Sequence, residues 1–130
     1  MAHKHTNPEG VSTPTGFSHV VEATGQRLIF VAGQTPVNAQ GEIVGEDLAA
    51  QAEQVYKNLQ TCLASHGATF ADVTKMTTFV VNYQPEHRAI IAEARAKFLA
   101  ADALPASTLL GVQALGHPSF LIEIEGYAVI

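Results

Sequence analysis

The segment Phe120-Leu-Ile-Glu-Ile-Glu-Gly-Tyr-Ala-Val-Ile130 alternates with period two, the pattern of a half-buried β-strand. Phe120, Ile122, Ile124 and Ala128 share one face; Leu121, Glu123, Glu125 and Tyr127 share the other. Two carboxylates therefore lie on one side, roughly 7 Å apart by strand geometry. Acids on a solvated strand face are the ordinary explanation of such a pair, because charged side chains are mostly exposed.

Working back from this strand, residues 106–112 read as the strand before it. A helix is expected over 85–101, starting at Pro85, which suits a first helical turn, with Ile90, Ile91, Ala94 and Phe98 on its buried side. Residues 72–82, rich in Val, Thr and Phe, read as a long strand. Simple alternation puts Val73, Thr77, Phe79 and Val81 on one face and Met76, Thr78 and Val80 on the other. Ala52, Val55, Tyr56, Leu59, Cys62 and Leu63 recur at threes and fours and specify a helix over 47–66, with Asp47 as N-cap and Gly67 as its stop. Residues 37–45 are turn-rich, with a short strand at 42–44. Residues 17–23 and 27–32 read as a hairpin around Thr24-Gly-Gln26. Residues 1–15, with Pro8, Gly10 and Pro14, read as an extended or mobile arm ahead of one domain over 16–130.

The order β-β-(β)-α-β-α-β-β describes an α+β domain, a mixed sheet of five to six strands with two helices on one face. Two helices cover only one face of such a sheet, and neither face of the 72–82 strand is polar. Self-association is the economical way to cover the second face.

Composition narrows the function. The chain has 130 residues, 47% hydrophobic and 15% charged, enough for a real core. Net charge is −5, and the seven basic residues (Lys4, Arg27, Lys57, Lys75, Arg88, Arg95 and Lys97) are scattered, which disfavours nucleic-acid binding. The single Cys62 permits no intrachain disulfide and fits a reducing compartment; it lies on an apolar helix stripe, as a structural thiol does. No apolar run approaches the ~20 residues of a membrane span, and Met1-Ala-His-Lys-His-Thr lacks a signal-peptide core, so a cytoplasmic protein without membrane contact is expected. No metal-ligand spacing, nucleophile elbow or glycine-rich phosphate loop is present, and neither a metal nor an organic cofactor is expected. His3 and His5 belong to the arm, and His66 and His87 fall at helix ends. His19, alternating with Phe17, and His117, in Gly116-His-Pro118, are candidates for a functional imidazole.

Gly33-Gln34, Pro36-Val-Asn38, Gly41-Glu42, Ala50-Gln51-Ala52, Leu104-Pro-Ala106 and Ile122-Glu-Ile-Glu125 occur in that order between residues 15 and 130. This ordered set resembles the Rid family, also called YjgF, of enamine/imine deaminases. The resemblance implies a chorismate-mutase-like fold, a homotrimer around a central barrel, and small-molecule clefts between subunits. It maps the family's water-positioning glutamate onto Glu123. It places backbone groups of Ala32, Gly33, Pro105 and Ala106 along the cleft, with Phe17, where the family carries a tyrosine, as an apolar wall. Ser107 occupies the position of the family's arginine, which forks onto a substrate carboxylate. The loop over 115–123 is one residue longer than usual in the family, which brings His117 into consideration as a ligand contact.

Loss of a forked, charge-assisted contact costs on the order of 2–4 kcal/mol, roughly 30- to 800-fold in affinity. The expectation is therefore a divergent enamine/imine deaminase-like hydrolase. Its substrate is an imine, enamine or related carbonyl compound without an essential carboxylate, or with one held by another group. The competing expectation is a non-catalytic trimer that binds a small molecule in the same cleft. A ribonuclease, the third reading, fits the acidic composition least.

Overall fold

The computed structural model describes residues 3–130. Along the chain run β1 (Lys4–Thr6), β2 (Val20–Glu22), β3 (Leu28–Gln34), α1 (Leu48–Ala64), a 3₁₀ turn (Phe70–Asp72), β4 (Val73–Val81), α2 (His87–Ala96), β5 (Ala106–Val112) and β6 (Ile122–Val129). The main sheet has the order β3-β6-β4-β5. β6 pairs antiparallel with both β3 and β4, and β5 joins parallel to β4, with α2 as the crossover that a parallel pair needs.

The alternation along β6 is realised as read. Ile122, Ile124 and Ala128 have no exposed surface and pack under the helices, where Ala52, Val55, Tyr56, Leu59 and Leu63 of α1 meet them. Tyr56 stacks on Phe98 at 5.5 Å, and Phe70 closes the cluster edge-on. Asp47 caps α1 by accepting from the Ala50 N–H at 2.8 Å. The helix ends with Ala68 N–H on Leu63 C=O and Gly67 N–H on Ala64 C=O, a pairing that requires the left-handed φ of +75° at Gly67.

Several expectations are corrected. The segments 17–23 and 27–32 do not form a hairpin: Gln26 and Arg27 N–H both bond to the Ile130 carbonyl, so β3 zips onto β6. β2 pairs instead with β1, which lies in the stretch read as an extended or mobile arm, and the six strands divide into sheets of four and two. His5 Nδ1 ties that arm to the Leu104 carbonyl at 2.9 Å. Val73 lies on the buried face with Met76, because the register shifts between Val73 and Lys75, reversing the parity of a simple alternation. Residues 42–44 contribute only an isolated bridge, Val37 to Ile43, and α2 stops ahead of the expected residue 101.

The face of the main sheet away from the helices is uncovered. Leu28 and Phe30, 57% and 69% exposed, lie on it beside Tyr127, and Leu110 lies on the far strand.

One buried polar side chain joins the loops to α1. Gln51 donates to the carbonyls of Gly45 and Ser119 (3.1 and 2.8 Å) and accepts from the Leu121 N–H at 2.8 Å. Gln51→Leu strands two acceptors and a donor beside the start of β6. We expect a loss of about 2–4 kcal/mol in chemical denaturation, while an exposed α1 change such as Gln60→Ala stays near neutral.

Candidate active site

Two groups of residues converge, on opposite faces of the sheet. On the helix-free face stands Glu123, in register with Phe79 of β4. Its carboxylate rests directly on the backbone of Gly33, where an added Cβ would overlap Oε2. Only glycine permits this approach. Burial, and then the nearby Glu125 carboxylate, raise the Glu123 pKa from its ordinary value.

On the helix side is a cavity of about 210 Å³ between α2, the β4–β5 edge and residues 15–17. Ser18 forms a parallel bridge to Ala106 and donates its N–H to the Pro105 carbonyl at 3.0 Å; its Oγ donates to Leu104 C=O at 2.7 Å. These bonds hold Phe17 over the cavity beside Pro105 and Ser107. α2 contributes Arg88, Ile91 and Arg95, spaced i, i+3, i+7 on one helix face. The Arg95 guanidinium lies flat against Gly16, again in space that a Cβ would fill. The phenol of Tyr56 opens into the same cavity; burial pushes its pKa up to about 12 against the opposing pull of Arg95. At neutral pH Tyr56 is therefore a neutral hydrogen-bond donor.

A larger depression, about 690 Å³, lies among residues 5–18 and 101–104. Two of its polar side chains are already engaged, His5 with the Leu104 carbonyl and Asn7 Oδ1 with the His19 N–H. The smaller cavity is the better candidate because Phe17, Pro105 and Ser107 meet there with two arginines and a buried phenol.

Phe17, Pro105 and Ser107 thus meet in one cavity, while Gly33 meets Glu123 on the other face. Ala32 is exposed, its carbonyl accepting from the Gln34 amide at 3.0 Å. Ala106 alternates with Ser107 and so points away from the cavity. Ser107 pairs with Met76 and Glu123 with Phe79; three residues apart on β4, these positions face opposite ways. Within one chain Glu123 and Ser107 do not come together, and β4 separates their strands. His117 is exposed in the turn before β6, where its Nδ1 accepts from the Ser119 N–H at 3.0 Å, away from the cavity. His19 donates to the Ser12 carbonyl at 2.7 Å and packs edge-on against Phe17. Arg88, Arg95 and Tyr56 were not singled out from the sequence. Their signal was the i, i+7 arginine spacing alongside the apolar stripe of α2. Among the described residues no group of three or more His, Cys, Asp or Glu side chains converges as metal ligands, and no helix is long and apolar enough to cross a membrane.

A family model described as Endoribonuclease L-PSP matches residues 9–130. The chain belongs to this family, the Rid or YjgF family. It is similar to protein DfrA of Myxococcus xanthus, 31% identical over 131 residues, 99% of this chain and 97% of that one. It is also 31% identical over 108 residues to the 2-iminobutanoate/2-iminopropanoate deaminase of Salmonella typhimurium, covering 78% of this chain and 79% of the deaminase. Among solved structures, the Rid-family protein YyfB of Yersinia pestis, of unknown function, is 43% identical over the whole of both chains with a TM-score of 0.94.

A carboxyl whose pKa rises on folding binds its proton more tightly in the native state. Its ionisation then opposes folding as pH climbs through the native value. Glu123→Gln is expected to stabilise the Rid fold at pH 7, with the gain vanishing as pH falls below the ordinary carboxylate range. Thermal melts across that range check it. Gly33→Ala should push the carboxylate off its backbone seat and into water, lowering the Glu123 pKa in a carboxyl-carbon NMR titration.

Proposed function

We propose that this protein is an enamine/imine deaminase-like hydrolase. It acts on a small reactive imine, enamine or related carbonyl compound in a cleft between subunits, and it is not an efficient 2-imino acid deaminase. The observation that carries this reading is Glu123: a carboxyl seated on the Gly33 backbone, with its pKa raised, beside an uncovered apolar sheet face. A carboxylate shifted toward neutrality is suited to accept a proton and return it. Glu123 takes a proton from water as the oxygen bonds to the C=N carbon, while the nitrogen gains a proton. The resulting carbinolamine loses ammonia as its hydroxyl proton leaves, and the carbonyl forms. Imine and water thus become carbonyl compound and ammonia, with no change of oxidation state.

Because Glu123 and the Phe17–Ser107 cavity lie on opposite faces, a site that uses both needs a second copy. The exposed Leu28, Phe30 and Leu110 suit such packing, and a homotrimer with no other macromolecular partner is the assembly proposed. The similarity to the Salmonella typhimurium deaminase supports the reaction class, while Ser107 argues against the same substrate preference. Ser107 also favours the second reading, a trimer that binds without turnover.

The test is ammonia release from imines generated in situ, with and without carboxylates, alongside sedimentation analysis. Expected are three chain masses in the sedimenting species, feeble turnover of 2-iminopropanoate, and clear turnover of another imine. Glu123→Gln should lower kcat by about 100-fold or more. Ligand binding with no turnover of any imine would establish the binding protein instead, and a monomer would remove the cleft.

A further inference from the structure

The cavity beside Ser107 holds two arginines and no acid. Of the twelve carboxylate residues in this acidic chain, none lines it. Among the described residues neither Arg88 nor Arg95 forms an ion pair; the salt bridges present join Glu53 to Lys57 and Lys97. The Arg95 guanidinium lies flat against Gly16. The Tyr56 residue beside it is only 2% exposed, yet its hydroxyl has no protein partner among the described residues. No buried side-chain polar atom is left without a partner among the described residues, so these unpaired guanidinium groups and the phenol are open to water and free to receive a negative group.

We propose that Arg88 and Arg95 of α2, with the Tyr56 hydroxyl, form a carboxylate-binding site in this cavity, in place of the arginine that the family resemblance puts at position 107. The inference rests on the reading above, that this cavity takes the substrate, and it adds the substrate's charge and shape. Tyr56, Met76, Thr78, Ile91 and Leu99 are buried in the cavity's lining, whereas Arg88, Ser107 and Leu109 are exposed at its rim. A carboxylate on Arg95 and Tyr56 therefore sits deep, and the rest of the ligand extends toward Ser107. In a 2-imino acid the carboxylate is bonded to the reacting carbon, so a seat on the floor buries that carbon as well. The ligand that fits is an oxo or imino acid with its C=O or C=N carbon separated from the carboxylate by two or more carbons. At about 210 Å³ the space is below the ~300 Å³ at which drug-sized sites begin, which suits a small metabolite.

The test is calorimetric titration with 4-oxopentanoate, an unreactive carbonyl acid, against its methyl ester and pyruvate. Expected is binding of 4-oxopentanoate, with the ester and pyruvate each at least tenfold weaker. Arg88→Met and Arg95→Met should each weaken 4-oxopentanoate binding roughly tenfold to a hundredfold. Arg95→Lys should recover part of the loss, and Lys97→Met, outside the cavity, should change nothing. Circular dichroism of each variant separates lost binding from lost fold. Equal affinity for acid and ester, or undiminished affinity in a folded Arg88→Met/Arg95→Met double variant, would overturn the site. Anion binding through both arginines without turnover of any imine would uphold it while refuting hydrolysis. Imine turnover indifferent to both arginines would refute the site and leave hydrolysis standing.

Discussion

The alternation along β6 governs the rest of the molecule, because this strand is bonded on both sides. Its partners β3 and β4 set its register from opposite edges, so a slip of one residue would break both ladders at once. Such a slip would also turn Glu123 and Glu125 inward against Val55 and Leu59, while Ile122 and Ile124 surfaced. Moving two unpaired carboxylates into that interior carries a penalty far beyond the worth of a few strand bonds. The carboxylates are therefore confined to the helix-free face, and the arginines of α2 to the other.

Glu123 is the strained member of that arrangement. Its seat on Gly33 removes water from one side of the carboxylate, and Glu125 adds like charge from the same strand face. The surrounding surface is itself unfinished, since Leu28 and Phe30 remain in water. Any subunit that covers these residues removes more water from the same face, and burial raises a carboxyl's pKa. Association and proton affinity are thus coupled through one surface.

Much of this was legible in the sequence, and the exceptions share a cause. α1, β5 and the two faces of β6 follow from local periodicity, and Asp47 and Gly67 mark the ends of α1 by their own chemistry. The pairing of Gln26 and Arg27 with Ile130 joins the two ends of the chain, so no local turn signal reports it. Val73 was misplaced because a register shift resets the parity that period-two reading assumes. His5 reaches Leu104 across 99 residues, which turns an arm of loop-like composition into a strand. At the site, alternation gave the face of Glu123 within its own strand but not its side relative to Ser107 on β5. Arg88 and Arg95 stand at helical spacing, yet a helix pattern alone does not say which flank of the apolar stripe meets water and which meets a cavity.

Ser107 and the α2 arginines are better understood together than singly. An arginine at position 107 would enter a space already bounded by Arg88 and Arg95, with no acid nearby to offset a third positive charge. Like charges gathered at one cavity disfavour one another, the more so where water is partly excluded. A small, neutral residue on β5 relieves that conflict and leaves room at the rim. On this reading the serine is the complement of a cation moved from strand to helix, and the missing arginine does not signal a site that has lost its charge. The move changes direction as well as residue: an anion drawn toward α2 approaches from the rim past Ser107, so whatever chemistry occurs at the rim falls on the far end of the ligand. On the proposed reading, specificity resides in the distance between two ends of one small molecule, one near Tyr56 and the other near Ser107.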